Sequence, residues 1–390
     1  MIAVFAPGQG AQSPGMLSPW LELPGVADRL AEFSDATKLD LVRLGTTADA
    51  DEIKDTAVTQ PLLVALGVIA AEHLGLDQAG ERVVAGHSVG ELTAVAVSGA
   101  MTAVDAVAFA GRRGAAMAAA CARTPTGMSA VLGGDESAVL AGIEALGLTA
   151  ANRNAAGQIV AAGALGALEK LAADPPGGAR VRPLAVAGAF HTHFMDSAAA
   201  ELDEYAAGLT INDPRPILLS NADGAAVTTG ADLLARLVRQ VTLPVRWDLC
   251  LASCLDLGVS AVIELAPAGV LTGIAKREMK GAELLAVKTP ADLEQGRLMV
   301  ASRPQHGQGE HTPEFRIVVT PTKGVFTRAE TITEGGEVAR GTRLGTVRTN
   351  RDEHAIIAPG AGVLTEWLRH DGDIVGEGLP IARISDGSEF

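Results

Sequence analysis

The stretch Val83-Val84-Ala85-Gly86-His87-Ser88-Val89-Gly90-Glu91 constrains this chain more than any other. A short β-branched run enters a Gly-x-Ser-x-Gly pentapeptide and an apolar run rich in helix formers leaves it, so the pattern predicts strand, sharp turn and helix in succession. Such a turn is a nucleophile elbow. Gly86 and Gly90 carry no Cβ to crowd it, which lets Ser88 occupy strained backbone with its hydroxyl projecting at the sheet's edge. A chain with 45 glycines also produces this pentapeptide by chance. Its weight comes from the strand before it and the helix after it.

At 390 residues the chain exceeds one ordinary core, and usual domain sizes point to two or three units. Apolar residues make up 48% and aromatic residues only 3%, so small aliphatic side chains must fill the interior. A formal charge of −15 argues against a nucleic acid partner, whose backbone demands clustered Lys and Arg. Cys121, Cys250 and Cys254 lack metal-like companions and read as small hydrophobes in a reducing compartment, which places the chain in the cytoplasm. The first residues read as a strand, not a signal peptide, because no basic region precedes them. No membrane span is expected: the uncharged stretch from Thr56 to Ala71 falls short of the ~18 residues needed.

Taken in order, the strand at the N-terminus runs into Pro7-Gly8-Gln9-Gly10, a flexible turn whose N–H groups can point at an anion. It lacks the G-x-x-x-x-G-K of a phosphate loop and leaves an oxyanion role open. Helical spacing follows over Val26–Ser34 and over Pro61–Leu74, the latter with Pro61 in its first turn. After the elbow a helix over Ala103–Ala120 carries Arg112 and Arg113. Adjacent helical positions point about 100° apart, so only one of the two faces inward.

Residues 127–188 then read as β-α-β-β-α-β: strands at Met128–Leu132, Leu148–Asn152, Gln158–Ala162 and Val181–Ala187, helices at Glu136–Leu146 and Leu165–Ala173. That order is the ferredoxin-like arrangement and predicts a subdomain inserted into a larger α/β unit formed by 1–126 and 189–300. Alternating strands and helices beyond it predict a largely parallel sheet covered on both faces. His191 and His193 follow the insertion. They fit a structural role, a pair of metal ligands or a general base for Ser88. Residues 301–314 lose apolar periodicity and read as a linker. In 315–390 short β-branched runs repeat at an offset of 37–38 residues: Gly335-Gly336-Glu337-Val338 is echoed by Gly372-Asp373-Ile374-Val375, predicting two copies of one strand-turn-strand unit.

With Gly8-Gln9-Gly10-Ala11-Gln12, Thr59-Gln60-Pro61, Gly86-His87-Ser88-Val89-Gly90-Glu91, Arg113-Gly114, Asn152-Arg153-Asn154 and Ala189-Phe190-His191 in view, the first ~290 residues resemble malonyl-CoA:acyl carrier protein transacylases. More broadly they resemble the acyltransferase domains of fatty acid and polyketide synthases. The resemblance implies an α/β-hydrolase-like large domain, Ser88 as nucleophile and His191 as base, and an oxyanion hole from the N–H groups of Gln9 and Val89. It implies substrate binding by Arg113, which would clamp the malonyl carboxylate, with His87, Phe190 and Asn154 beside it. Phe190 matches the form of the motif associated with malonyl over methylmalonyl units. The family's histidine is oriented by a backbone carbonyl, and the matching position is Arg246.

The partners implied are malonyl-CoA and an acyl carrier protein, for a monomeric enzyme without a cofactor. The competing readings are a serine hydrolase such as a thioesterase, a different extender unit, and a catalytically silent scaffold. The last eighty residues resemble a biotinyl/lipoyl-type barrel. The family attaches its cofactor to a lysine within Met-Lys-Met; here Asn350-Arg351-Asp352 stands in its place, so neither biotin nor lipoate is expected.

Overall fold

The computed structural model describes residues 1–76, 82–301, 315–329, 331–349, 352–376 and 378–385. The chain divides into two compact units, Met1–Gly307 and Gln308–Phe390. The linker expected at 301–314 lies, after Ala301, outside the described residues, as do Asn350 and Arg351 at the barrel's expected attachment turn.

The first unit is built on a six-stranded sheet in the order Glu283–Ala286, Ala261–Glu264, Ile2–Ala6, Arg82–Gly86, Ile217–Leu219, Ala226–Val227. The first five strands pair in parallel and the last is antiparallel. Ala226–Val227 has no counterpart in the sequence reading, since two residues show no period. Ile2, Val4 and Ala6 join Val84 and Ile263 in one core, whereas Ala3 and Phe5 join Val83, Ala85 and Val262 in another. Successive side chains of a strand alternate, so these short apolar runs bury both faces of the sheet.

The helix expected from Pro61 begins at Thr56 and ends at Leu74. Asp55 starts it by accepting a hydrogen bond from the Ala57 N–H, which leaves Pro61 inside the helix and not in its first turn. At 19 residues it is long and apolar enough to cross a membrane by length and composition. Yet it is mostly buried within this unit, with Leu62, Leu66 and Ile69 fully enclosed in the core. The helix Ala103–Cys121 buries Arg113 and leaves Arg112 exposed over the Tyr205 ring.

Residues 126–183 form the expected β-α-β-β-α-β run, as strands Thr126–Leu132, Thr149–Ala155, Gln158–Ala164 and Arg180–Pro183 with helices Glu136–Ala145 and Leu165–Ala173. Their sheet runs Arg180–Pro183, Thr126–Leu132, Gln158–Ala164, Thr149–Ala155, and gains a fifth strand, Val245–Arg246, in parallel with Asn152–Arg153. That added strand comes from the segment between the large-sheet strands Ala226–Val227 and Ala261–Glu264, and so ties the small sheet to the large domain's chain.

The second unit holds two four-stranded sheets. One runs Phe315–Val319, Pro380–Ser385, Gly362–Trp367, Glu337–Val338; the other runs Glu353–Ile357, Arg343–Arg348, Gly324–Arg328, Ile374–Val375. Each sheet takes two strands from each sequence repeat, in the same relative order. Phe326, Leu344, Val347, Leu364, Ile381 and Ile384 fill the space between them.

The elbow is the tightest place in the first unit. A Cβ on Gly86 would lie 2.0 Å from the Gly90 carbonyl carbon, and one on Gly90 would lie 2.2 Å from the Ala6 carbonyl oxygen. All of these neighbours are backbone and cannot rotate away. Gly90→Ala is therefore expected to cost at least about 3 kcal/mol, read as a fall of roughly 5–10 °C in the thermal midpoint of the first unit or as loss of soluble protein. A midpoint unchanged within about 1 °C would contradict this packing.

Candidate active site

Two parallel neighbours, Ile2–Ala6 and Arg82–Gly86, end side by side with Ala6 opposite Gly86. Their following loops therefore emerge at one edge of the sheet. The His87 N–H donates to the Ala6 carbonyl at 2.9 Å, and the Gly8 Cα sits where a Cβ would be 2.5 Å from the His87 carbonyl. This contact brings Gln9 alongside the elbow. Ser88 has a φ of 53°, the left-handed backbone that a sharp strand-to-helix turn imposes on its central residue.

Asn221, fully buried after the strand Ile217–Leu219, clamps this turn: its Oδ1 accepts from the Ser88 N–H at 2.8 Å and its Nδ2 donates to the Gly86 carbonyl at 2.8 Å. His191 also sits at positive φ, 60°. Its Nε2 lies 2.8 Å from Ser88 Oγ, and its Nδ1 lies 2.8 Å from the carbonyl oxygen of Gln240. A carbonyl can only accept, so Nδ1 carries the proton and Nε2 is the acceptor for the serine hydroxyl.

The orienting carbonyl thus belongs to Gln240 and not to Arg246. Arg246 is committed elsewhere: its N–H donates to the Asn221 carbonyl at 2.7 Å, its strand pairs with Asn152–Arg153, and its guanidinium binds Asp248 at 2.8 and 2.9 Å. The 3-10 turn Gln240–Thr242, six residues upstream, reaches the imidazole instead.

Arg113 is 2% exposed, and its guanidinium donates to Gln60 Oε1 at 2.7 Å, Gln240 Oε1 at 2.7 Å and Ser88 Oγ at 3.2 Å. Burial, with the nearby Glu91 opposing, brings it down to about 10, still a cation at neutral pH. Burial and then the Arg113 charge push His191 down to about 3, so its imidazole is neutral. Burial raises the Glu91 carboxyl to about 7, against the Asn221 N–H and the Arg113 charge.

The sequence by itself gives no role to Gln60, Asn221, Gln240 or Glu91. Gln60 alone carried a signal, as the polar residue in an apolar helix, and Glu91 stood only as the last residue of the elbow motif.

Gln60, Ser88, Arg113 and His191 line a cavity of about 240 Å³. Gln9, His87, Ser88, Val89 and Arg113 form its polar end, and Met117, Met128, Val160, Leu184 and Phe190 its apolar walls. Asn154 lines it too, and its Oδ1 holds His87 Nε2 at 2.8 Å. Val270, Leu271 and Ile274 also line it, on a helix whose start donates three backbone N–H groups to the buried Glu264 carboxylate. Among the described residues the backbone N–H groups of Gln9 and Val89 have no hydrogen-bond acceptor. An activated hydroxyl, a neutral base, two unused N–H donors and a buried cation in one cavity suit acyl transfer from an anionic acyl donor.

A family model described as the acyl transferase domain matches residues 4–310, and the chain belongs to that family. Within it, the chain is 59% identical over 298 residues to the malonyl CoA-acyl carrier protein transacylase of Mycobacterium bovis, covering 76% of this chain and 99% of that protein. The crystal structure of MCAT from Mycobacterium tuberculosis superposes with a TM-score of 0.75 at 57% identity, over 76% of this chain and 99% of that one. A malonyl-transacylase solved in complex with its type II PKS acyl-carrier protein superposes at 0.70 with 29% identity, over 76% and 98%.

The depressed basicity of His191 has a kinetic consequence. Because the imidazole stays neutral well below the ~6.5 of a free side chain, the p-nitrophenol burst from acylation by p-nitrophenyl acetate should show no limb near that pH and fall only as pH approaches about 3. A half-maximal burst rate at about 6.5 would contradict the enclosed imidazole.

Proposed function

We propose that this protein is an acyl-carrier-protein S-malonyltransferase that carries malonate from malonyl-CoA to the phosphopantetheine thiol of a carrier protein through a malonyl ester on Ser88. The observation that carries the reading is Arg113: a buried guanidinium within 3.2 Å of the Ser88 hydroxyl, held, among the described residues, by two glutamine oxygens and no carboxylate. A carboxylate there would occupy the cation permanently. Neutral acceptors keep it satisfied until a substrate carboxylate replaces them. The 59% identity to a transacylase of this name, and a relative solved with its carrier protein, support the same substrate pair.

In the first half-reaction Ser88 Oγ attacks the thioester carbonyl and gives its proton to His191 Nε2. The developing oxyanion takes hydrogen bonds from the Gln9 and Val89 N–H groups, each worth ~2.7–4 kcal/mol in comparable sites. The C–S bond breaks, coenzyme A leaves with the proton from His191, and Ser88 carries the malonyl ester. In the second, the carrier thiol gives its proton to His191 and attacks the ester, and Ser88 leaves and recovers a proton. The Gln240 carbonyl steadies the imidazolium through Nδ1–H. A malonyl carboxylate on Arg113 offsets the charge that opposes that imidazolium, so the correct substrate raises the basicity of its own base.

Phe190, 6% exposed on the cavity wall, narrows the space for an α-methyl group and supports malonyl over methylmalonyl units. His87 and Asn154 are read as substrate contacts on the same wall. The first unit is read as an α/β-hydrolase-like domain over 1–126 and 189–300 with a ferredoxin-like insertion over 127–188, and the second, 315–390, as a biotinyl/lipoyl-type barrel. The exchange of strands between its repeats supports the latter. With Arg351 at the attachment position, it carries neither biotin nor lipoate. We place the enzyme in the cytoplasm as a monomer.

The test is acylation followed by intact mass. Malonyl-CoA should add one malonyl group, Ser88→Ala should abolish it, and holo carrier protein should remove it as malonyl-carrier. Release as free malonate would favour a hydrolase. Arg113→Ala should lower malonyl transfer by roughly 100-fold or more while acetyl transfer changes far less, as expected for a lost charge-assisted pair. Equal losses would remove the carboxylate role.

A further inference from the structure

Glu91 is a buried carboxyl group beside the site that this chemistry leaves unused. It stands in the first turn of the helix Gly90–Val97 and is 5% exposed. One of its oxygens accepts from the Asn221 N–H at 2.5 Å, and the other accepts from Gln240 Nε2 in a short contact. The same Nε2 donates to the Ser88 carbonyl at 3.2 Å, while Oε1 of that amide accepts from Arg113 at 2.7 Å. Arg113 and the Glu91 carboxyl therefore face the two ends of a single amide.

A primary amide has a donor end and an acceptor end, and nothing in the Gln240 side chain itself decides which one Arg113 meets. The surroundings decide it. Two acceptors, the Glu91 carboxylate and the Ser88 carbonyl, hold the NH₂ end, and the oxygen is left for the guanidinium. On the reading of Ser88, His191 and Arg113 given above, we propose that Glu91 is a positioning residue that acts through the Gln240 amide to keep an acceptor against Arg113, and so sets how strongly the enzyme selects acyl groups that bear a carboxylate.

The isosteric change Glu91→Gln isolates this role. The Asn221 N–H still requires an acceptor, so the new side chain must keep its oxygen there and turn its NH₂ toward Gln240. Two NH₂ groups would then meet. The Gln240 amide relieves this only by reversing, which sets its NH₂ against the Arg113 donors and its oxygen against the Ser88 carbonyl. The Asn221 clamp on Ser88 and the Gln240 backbone carbonyl on His191 are untouched by that reversal. The nucleophile and base should keep working on an uncharged acyl group.

The experiment measures acylation of the full chain by malonyl-CoA and by acetyl-CoA, by rapid quench and intact mass, with thermal midpoints as a folding control. Glu91→Gln should lower the malonyl-to-acetyl rate ratio about 10- to 100-fold, with acetyl acylation within about threefold of the unmodified chain. Gln240→Met removes the amide and should lower the malonyl-to-acetyl ratio to the same extent, whatever the change does to the acetyl rate itself through the carbonyl that orients His191. Adding Glu91→Gln to it should change the ratio no further, since the intermediary is gone.

Equal losses of both acylations in either single variant, an unchanged ratio, or a selective loss by Glu91→Gln that persists in the Gln240→Met background would each overturn the proposal. If Glu91→Gln does not fold, Gln240→Met still decides whether the amide serves Arg113. Failure of the unmodified chain to form a malonyl adduct would instead overturn the site reading, and this inference with it.

Discussion

Everything at this site depends on how closely backbone approaches backbone where the strand Arg82–Gly86 turns into its helix. The absence of a Cβ at Gly86 and Gly90 lets the helix begin against the Ala6 carbonyl, a contact no other residue type would permit. That approach holds Ser88 at positive φ and sets Val89 and Gln9 together in the lining of one cavity. Asn221 then closes the turn by bridging Gly86 and Ser88 with both ends of one amide. Strain of this kind persists only where the surroundings over-determine it, and here they are the Asn221 clamp and the parallel sheet.

Charge is managed by neutral intermediaries. A buried cation usually requires an anion in contact, but an anion touching Arg113 would compete with the malonyl carboxylate proposed above to bind there. The structure instead surrounds the guanidinium with amide oxygens and places the compensating Glu91 one amide further away. The cation is thereby both satisfied and available. Its charge, added to burial, keeps His191 neutral, with Nε2 against the Ser88 hydroxyl.

The C-terminal unit follows a different logic. Each of its sequence repeats is too short to bury its own apolar face, and the two solve this by exchanging strands, so that neither sheet belongs to one copy. Phe326 and Trp367, one from each repeat, meet in the resulting core. The described residues of this unit, from Phe315 onward, lie beyond the stretch matched by the acyl transferase family.

Local pattern was enough for whatever depends on neighbours along the chain. The Gly-x-Ser-x-Gly turn, the inserted β-α-β-β-α-β run, the inward choice of one arginine in an adjacent pair and the 37–38-residue repeat all rest on glycine chemistry, strand and helix periods or self-similarity, each readable within a few dozen residues. For the pairing of Ser88 with His191, across 103 residues, the residues themselves offer a general base only as one of three uses, and the resemblance selects it.

What the chain alone left undecided were contacts between polar groups far apart in sequence. Gln240, not Arg246, presents the carbonyl to His191, and Asn221 and Glu91 meet across 130 residues. A backbone carbonyl has no signature in a sequence, and an amide's two ends look alike there. Only the packed structure determines which donor faces which acceptor, because burial leaves each polar group no water to fall back on and forces a single consistent arrangement.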